Sequence, residues 1–153
     1  MQNPDPPSFD FENQLHYWVN RLGFLLRKEI HLRFKVEGID LRAEEMALLI
    51  HLLQDNGQTP SALAEKTIRD RTTVTRFLDG LAKKGFVERE VDPDDRRRVI
   101  VKTTERTTAL QPKIIARVRQ MIAESLVGVD EEDLETTKRV LKQITGTVLD
   151  MRS

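Results

Sequence analysis

Residues 59–104, TPSALAEKTIRDRTTVTRFLDGLAKKGFVEREVDPDDRRRVIVKTT, carry the start and stop signals that decide the fold. Thr59 and Pro60 read as an N-cap followed by proline at the first helical position, opening a short helix that buries Leu63 and Ala64 and ends near Thr67. After the brief IRD connection, Asp70 is placed to cap a longer helix with Val74, Phe77, Leu78 and Leu81 as its inward stripe. Thr72, Thr73, Thr75, Arg76 and Lys83 then point outward. Gly85 stands where a left-handed residue ends a helix, with Phe86 spaced to touch Leu81, the apolar contact of a Schellman stop. Beyond it the period drops from 3.6 to 2. Val87 and Val91, then Val99 and Val101, flank a turn-rich DPDDRR, which predicts a β-hairpin with a charged tip. Short helix, tight turn, longer helix and hairpin make a winged helix-turn-helix.

Outward from this unit the chain is helical on both sides. Leu15, Trp18, Val19, Leu22, Leu25, Leu26 and Ile30 keep helical spacing and predict one long amphipathic helix from Phe11 to Phe34. Pro4, Pro6 and Pro7 mark residues 1–10 as a disordered arm. Met46, Leu49, Ile50 and Leu53 predict a second helix after Leu41, stopped by Asn56-Gly57, with Leu41 and Met46 as a hydrophobic staple. Downstream, Leu110, Ile114, Val118, Met121 and Ile122 predict a helix from Thr104 to about Val127, with Pro112 kinking it or loosening its first turns. Gly128 ends that helix, and Asp130 caps a last one carrying Leu134, Leu141, Ile144 and Val148. The expected fold is mainly α with a small β-hairpin wing. Residues 11–153 form one domain, in which helices at 11–36 and 105–153 flank the winged helix-turn-helix at 41–104. The flanking apolar stripes exceed what a small winged helix needs for its own core, which suggests dimerisation helices and a two-fold homodimer.

The 153 residues hold 25 Lys+Arg against 25 Asp+Glu, so any nucleic-acid affinity must come from local sorting of charge. Residues 61–104 carry 11 basic against 8 acidic side chains, whereas residues 1–60 carry 6 against 9. The modest basic excess therefore lies on the winged helix. Cysteine is absent, which excludes disulfides, thiolate metal sites and a cysteine nucleophile or redox sensor. MQNPDPPSFD lacks a basic start and an apolar stretch, and the longest apolar run, Met46 to Ile50, is far too short to span a membrane. A soluble cytoplasmic protein is expected. His16, His31 and His51 form no close metal-binding pair, and Glu12 with His16 at i, i+4 reads as a surface contact, so neither metal nor cofactor is expected. No nucleophile and base set or phosphate-cradling glycine loop points to an enzyme.

SALAEKT, RDRTTVTRFLDGLAKKGFVER and DPDDRRRVIVKTT together resemble the MarR family of bacterial transcription regulators, most densely from Leu41 to Thr104. The resemblance implies a dimeric winged-helix protein on a pseudo-palindromic double-stranded operator, often a repressor released by a small anionic or phenolic effector. It also implies that Arg96 or Arg97 is the wing arginine that enters the minor groove or holds a phosphate, with Asp95 as its positioner and Arg98 a weaker candidate. The effector pocket of the family borders the first helix, which makes His16 and Trp18 ligand candidates, although core or dimer packing also suits Trp18. Departures from the family are Thr103-Thr104 in place of leucine-threonine, Thr107 in place of glycine, and Arg42 at a threonine capping position.

Within that context Thr72, Thr73, Thr75, Arg76 and Lys83 are the DNA-contact candidates of the recognition helix, and Arg76 could reach a guanine edge or a phosphate. The wing acids Asp94 and Asp95 stand where they can orient its arginines. Gly80 lies on the exposed side of that helix, where it either permits close approach to DNA or is a tolerated surface glycine costing about 1 kcal/mol relative to alanine. The expected function is a homodimeric, sequence-specific DNA-binding regulator. A winged helix used for protein interaction is the alternative, and it requires an apolar recognition face where this sequence has a polar one.

Overall fold

Start and stop signals local to each segment account for most helix ends in the computed structural model, which describes residues 9–152. Residues 1–8 of the expected arm lie outside the described residues. Helix α1 spans Leu15–Val36, α2 Ala43–Gln54, α3 Pro60–Thr67 and α4 Arg71–Lys83; strands β1 (Val87–Val91) and β2 (Val99–Thr103) follow, then α5 (Glu105–Ser125) and α6 (Glu131–Asp150). The mainly helical fold with its hairpin wing matches the expected class.

The first helix starts four residues later than its periodicity suggested, because Phe11 to Asn13 form a turn and Gln14 supplies no side-chain cap. It ends in a Schellman motif: Gly38 has φ +70°, its N–H donates to Lys35 O at 3.1 Å, and the Ile39 N–H donates to Phe34 O at 2.8 Å. The capping hydroxyl of Thr59 accepts the Ala62 N–H at 3.2 Å. At the end of α4, Gly85 has φ +76°, and the Phe86 N–H donates to Leu81 O at 2.9 Å, the expected Schellman stop. The turn between α3 and α4 holds a surprise. Ile68, a β-branched residue, sits at φ 53°, ψ 45°, the left-handed region that favours glycine.

Contacts divide the chain into two compact units, one up to Val118 and one from Arg119 onward, with α5 running through the boundary. In the first unit, Ile30 and Phe34 of α1, Leu48, Leu49 and Leu52 of α2, Leu63 of α3, Val74, Leu78 and Leu81 of α4, and Val101 of β2 are all buried. Fully burying such side chains contributes roughly 1.5–3 kcal/mol each, so this core dominates the stability of the unit. Strands β1 and β2 pair antiparallel with Val87 opposite Thr103 and Val91 opposite Val99. Gln58 adds a bridge to the far side of β2, exchanging two backbone hydrogen bonds with Val101 at 3.1 and 2.8 Å. Val87 and Val101 are buried at the base of the wing, whereas Val91 and Val99 are exposed, because the outer part of the hairpin projects beyond the core.

Helix α5 is continuous through Pro112. Its start is tied to the α4–β1 turn by two threonines, of which only Thr107 departs from the family pattern: Thr104 Oγ1 donates to Gly85 O at 2.7 Å, and the fully buried Thr107 Oγ1 donates to Phe86 O at 2.6 Å. In the second unit, Asp130 caps α6 by accepting the Glu132 N–H at 2.8 Å. Helix α6 has no buried residue, and Val148 and Leu149 are exposed on it. On α1 the side chains of Leu15, Trp18, Val19, Leu22 and Leu25 are likewise exposed. Within this single chain, both flanking helices leave apolar surface uncovered.

Candidate nucleic-acid interface

The inward stripe of α4 fixes which residues face out. Burying Val74, Leu78 and Leu81 leaves Thr72, Thr75, Arg76, Asp79 and Lys83 exposed. At 100° per residue, Thr72, Arg76, Asp79 and Lys83 fall on one line about 16 Å long. Asp79 does not repel an anion as a bare carboxylate, since its Oδ1 accepts a hydrogen bond from Arg89 Nη2 of β1 at 2.7 Å. That ion pair also ties the wing to the helix.

The start of α4 is held by Asp70. Its Oδ1 accepts the Thr73 N–H at 2.8 Å, and its Oδ2 accepts the Thr73 hydroxyl at 2.7 Å. These bonds to Thr73, backbone first, hold the Asp70 carboxyl below the usual carboxylate range. Thr73 is therefore half-buried and engaged in the cap instead of pointing fully outward. Thr75 Oγ1 donates back to Arg71 O at 2.8 Å. Thr72 is exposed, and its hydroxyl has no hydrogen-bond partner among the described residues.

Arg76 has no carboxylate partner among the described residues. Its guanidinium lies 5.4 Å from the ring centroid of Phe77, which is half-buried. The guanidinium of Arg69, from the turn before the helix, lies 5.4 Å from the same ring. Both distances are within cation–π range, so one aromatic ring in mid-helix holds two cations, one from the preceding turn and one from the outward face of the recognition helix. Arg69 is absent from the contacts that sequence pattern alone predicts. Its signal was the ring eight residues on, visible only once the turn and helix geometry is known.

In the wing, Arg96 is exposed with no ion pair among the described residues, and the side chain of Arg97 is 97% exposed, with Nε 3.9 Å from Asp95 Oδ1. Asp95 acts mainly on the backbone, accepting the Arg97 N–H at 3.0 Å on Oδ1 and the Arg98 N–H at 2.9 Å on its carbonyl oxygen. The second organiser is Asp92, not Asp94. Asp92 is buried, accepts the Asp94 N–H at 3.0 Å on Oδ1, and pairs through Oδ2 with Arg98 Nη1 at 3.6 Å. Arg98 precedes β2 and is held to the hairpin, whereas Arg96 and Arg97 project from it.

Gly80 corrects the sequence reading. It does not lie open to solvent: a Cβ there would stand 2.8 Å from Glu45 Oε1 of α2. Its helical position shares the half-buried flank of Thr73, seven residues earlier, and α2 covers that flank.

His16 and Trp18 are both exposed, Trp18 by 56%. The Trp18 Nε1–H donates to Glu12 O at 2.8 Å, and its ring meets Tyr17 edge-on at 5.4 Å. Neither residue lines the cavities found farther along α1. One cavity, of about 310 Å³, is walled by Phe24, Arg27, Lys28, His31 and the start of α2 at Arg42 to Glu44; a second, of about 340 Å³, is walled by His31, Lys35 and Gly38 to Asp40. His31 is common to both, with Nδ1 3.3 Å from Leu41 O. Among the described residues no cluster of three or more histidine, aspartate or glutamate side chains could hold a metal ion. No helix there is long and apolar enough to cross a membrane.

Comparison with known proteins agrees with this geometry. The MarR family model matches residues 41–99, the winged helix up to the first residue of β2. An HTH-type transcriptional regulator of Mycobacterium bovis is 32% identical over 113 residues, covering 71% of this chain and 76% of the relative. Among solved structures, reduced AbfR bound to DNA is similar with a TM-score of 0.75 at 21% identity, covering 93% of this chain and 96% of AbfR. CouR of Rhodococcus jostii RHA1, bound to p-coumaroyl-CoA, is similar with a TM-score of 0.75 at 21% identity, covering 90% and 95%. The two structures share the fold, and the mycobacterial relative, together with the family match on the winged helix, shows that this chain belongs to the MarR family.

Proposed function

We propose that this protein is a cytoplasmic, homodimeric transcription regulator that binds a pseudo-palindromic operator and acts as a repressor relieved by a small anionic or phenolic effector. The observation that carries the DNA reading is the polar line of Thr72, Arg76 and Lys83 on a capped helix, beside a hairpin whose Arg96 and Arg97 project freely. An apolar recognition face, which a protein-interaction winged helix needs, is absent from the outward side of α4. AbfR, of the same fold, has been seen on DNA. In this reading α4 enters the major groove with Thr72, Thr75 and Arg76 at base edges or phosphates, Thr73 locks the cap, and Lys83 holds a phosphate at the far end. Arg96 and Arg97 reach the minor groove or its phosphates.

Dimerisation is supported by the exposed Leu15, Trp18, Leu22 and Leu25 of α1 and by α6, which has no fully buried residue, surfaces that a second copy would cover. Trp18 belongs to that surface. For the effector, the cavity beside His31 offers Lys28 and Arg42 as cations, with Arg27 standing 3.9 Å from the Glu44 carboxylate on the same wall, and Phe24 as an apolar wall; the surplus of positive charge suits an anion carrying a ring. CouR, whose structure holds p-coumaroyl-CoA, is a solved example of such a ligand on this fold. His16 lies outside that cavity and is a weaker contact.

The test is fluorescence anisotropy on duplex DNA from upstream of the protein's own gene, against a scrambled duplex, at two salt concentrations. A preference of about 10³-fold or more at physiological salt is expected of a specific regulator. Absence of binding to any duplex in a genome-wide fragment selection, even at low salt, would overturn the reading.

A further inference from the structure

Among the buried groups of the first unit is a carboxylate that DNA recognition does not itself use. Glu45, only 4% exposed, occupies the first turn of α2. Its Oε2 accepts the Arg42 N–H at 2.9 Å and Lys84 Nζ at 2.8 Å, and its Oε1 accepts Lys84 Nζ at 3.1 Å. Lys84 is the C-cap residue of α4 and also pairs with Asp40 Oδ1 at 3.4 Å. The same Oε1 fills the space where a side chain at position 80 would begin, 2.8 Å from an ideal Cβ. Inside a helix glycine is disfavoured relative to alanine, so a glycine here marks a close approach. An unconstrained glutamate tip would simply swing aside. This one is buried and bonded on both oxygens, and moving it would break the cap of α2 and leave a charge unpaired.

We propose that Glu45 is a positioning residue for DNA binding: through Gly80 and Lys84 it sets the height at which the C-terminal half of α4 rests on α2. The inference rests on the DNA reading above. Helix α4 is pinned at one end by Asp70 and at the other by this seat, so a lifted seat tilts the line from Arg76 to Lys83 against the duplex. Base contacts tolerate displacements of only about 0.5 Å before their hydrogen bonds fail. The residues just before Glu45, Arg42 to Glu44, wall the cavity beside His31. A molecule wedged there would press on the turn that carries the seat, which gives an effector a route of one residue to the recognition helix.

The test is a double-mutant cycle in the full-length protein with Gly80→Ala, Glu45→Ala and the pair. The probe is the tightest duplex that wild type selects from a random pool, measured well below every melting transition. Each single variant is expected to bind about tenfold more weakly or worse, and the pair no more weakly than Glu45→Ala, because the new methyl then meets vacated space. In melting, Gly80→Ala should lower the transition in the wild-type background and raise it in the Glu45→Ala background, where ordinary helix preference returns. A merely stabilising role would leave affinity of the folded protein unchanged. Binding by Gly80→Ala within twofold of wild type, or the same melting shift in both backgrounds, overturns the proposal. Where Glu45→Ala does not fold, Glu45→Asp, one methylene shorter, replaces it and is held to the same reversal. If wild type selects no duplex, the DNA reading falls, and the melting half of the cycle still decides whether the seat exists.

Discussion

Replacing Ile68 in the turn between α3 and α4 tests whether its left-handed backbone is strained as the geometry says. Ile68 has φ 53° and ψ 45°, and the residue is 55% exposed. The turn persists because it satisfies the end of α3: the Ile68 N–H donates to Glu65 O at 3.1 Å, and the Arg69 N–H to Ala64 O at 3.0 Å. A left-handed residue with a Cβ is disfavoured by about 1–2 kcal/mol, and glycine escapes that penalty. Glycine in turn loses about 0.5–1 kcal/mol more than alanine in chain entropy on folding. Comparing Ile68→Gly with Ile68→Ala cancels the lost side-chain contacts, since both remove them. The glycine variant should therefore be more stable than the alanine variant by about 0.5–1 kcal/mol, whereas in an ordinary helix alanine would win by about 1 kcal/mol. For a chain of this size the difference corresponds to a melting shift of about 1–4 °C, readable by urea and thermal denaturation at fixed protomer concentration. An alanine variant equal to or more stable than the glycine variant would refute the strain argument.

Four further outcomes are expected. Arg76→Ala should weaken operator binding by about 1–3 kcal/mol if it reads a base, whereas Arg69→Ala should weaken all duplexes evenly and lower the salt slope by about 1, both measured by anisotropy across a salt series. Because Thr73 lowers the folded-state pKa of Asp70, that group contributes stability above its unfolded pKa of about 3.9 and loses it as pH falls through the folded value. Asp70→Ala should accordingly lower the melting temperature at neutral pH and flatten the acid limb; an unchanged limb would count against the cap. Truncation before Leu134 removes most of α6 and should convert the dimer to monomer in sedimentation, and a truncated dimer would reject the proposed interface.

Much of the winged helix was legible because its signals are local. Thr59-Pro60, Asp70 and Gly85 act within one turn of themselves, and each capped or stopped its helix at the expected place. The left-handed turn was hidden because isoleucine, not glycine, fills it. Gly80 and Glu45 were hidden for a different reason: the contact joins residues 35 positions apart, and local periodicity puts Gly80 at the edge of the polar face without revealing that α2 covers it. At the wing tip, sequence shows a cluster of arginines with acids beside them. Which acid organises it depended on burial, and Asp92 alone of the tip acids is buried. His16 and Trp18 entered through the family resemblance, and the chain's own cavities begin two turns later on α1, at Phe24.

The back-bonded hydroxyl of Thr75 has a consequence for the operator's letters. With its proton directed to Arg71 O, Thr75 can offer a base only oxygen lone pairs and a methyl group. Such a side chain accepts from adenine N6 or cytosine N4 and packs against the thymine methyl, but it has nothing to donate to guanine N7 and O6. On the proposed reading, and where Arg76 reaches a base edge instead of a phosphate, a guanine under this part of the helix falls to Arg76, one residue on. If Arg76 reads a base, the half-site should show a guanine where it reaches and a deficit of guanine where Thr75 does, a pattern that aligned selected sequences would display directly.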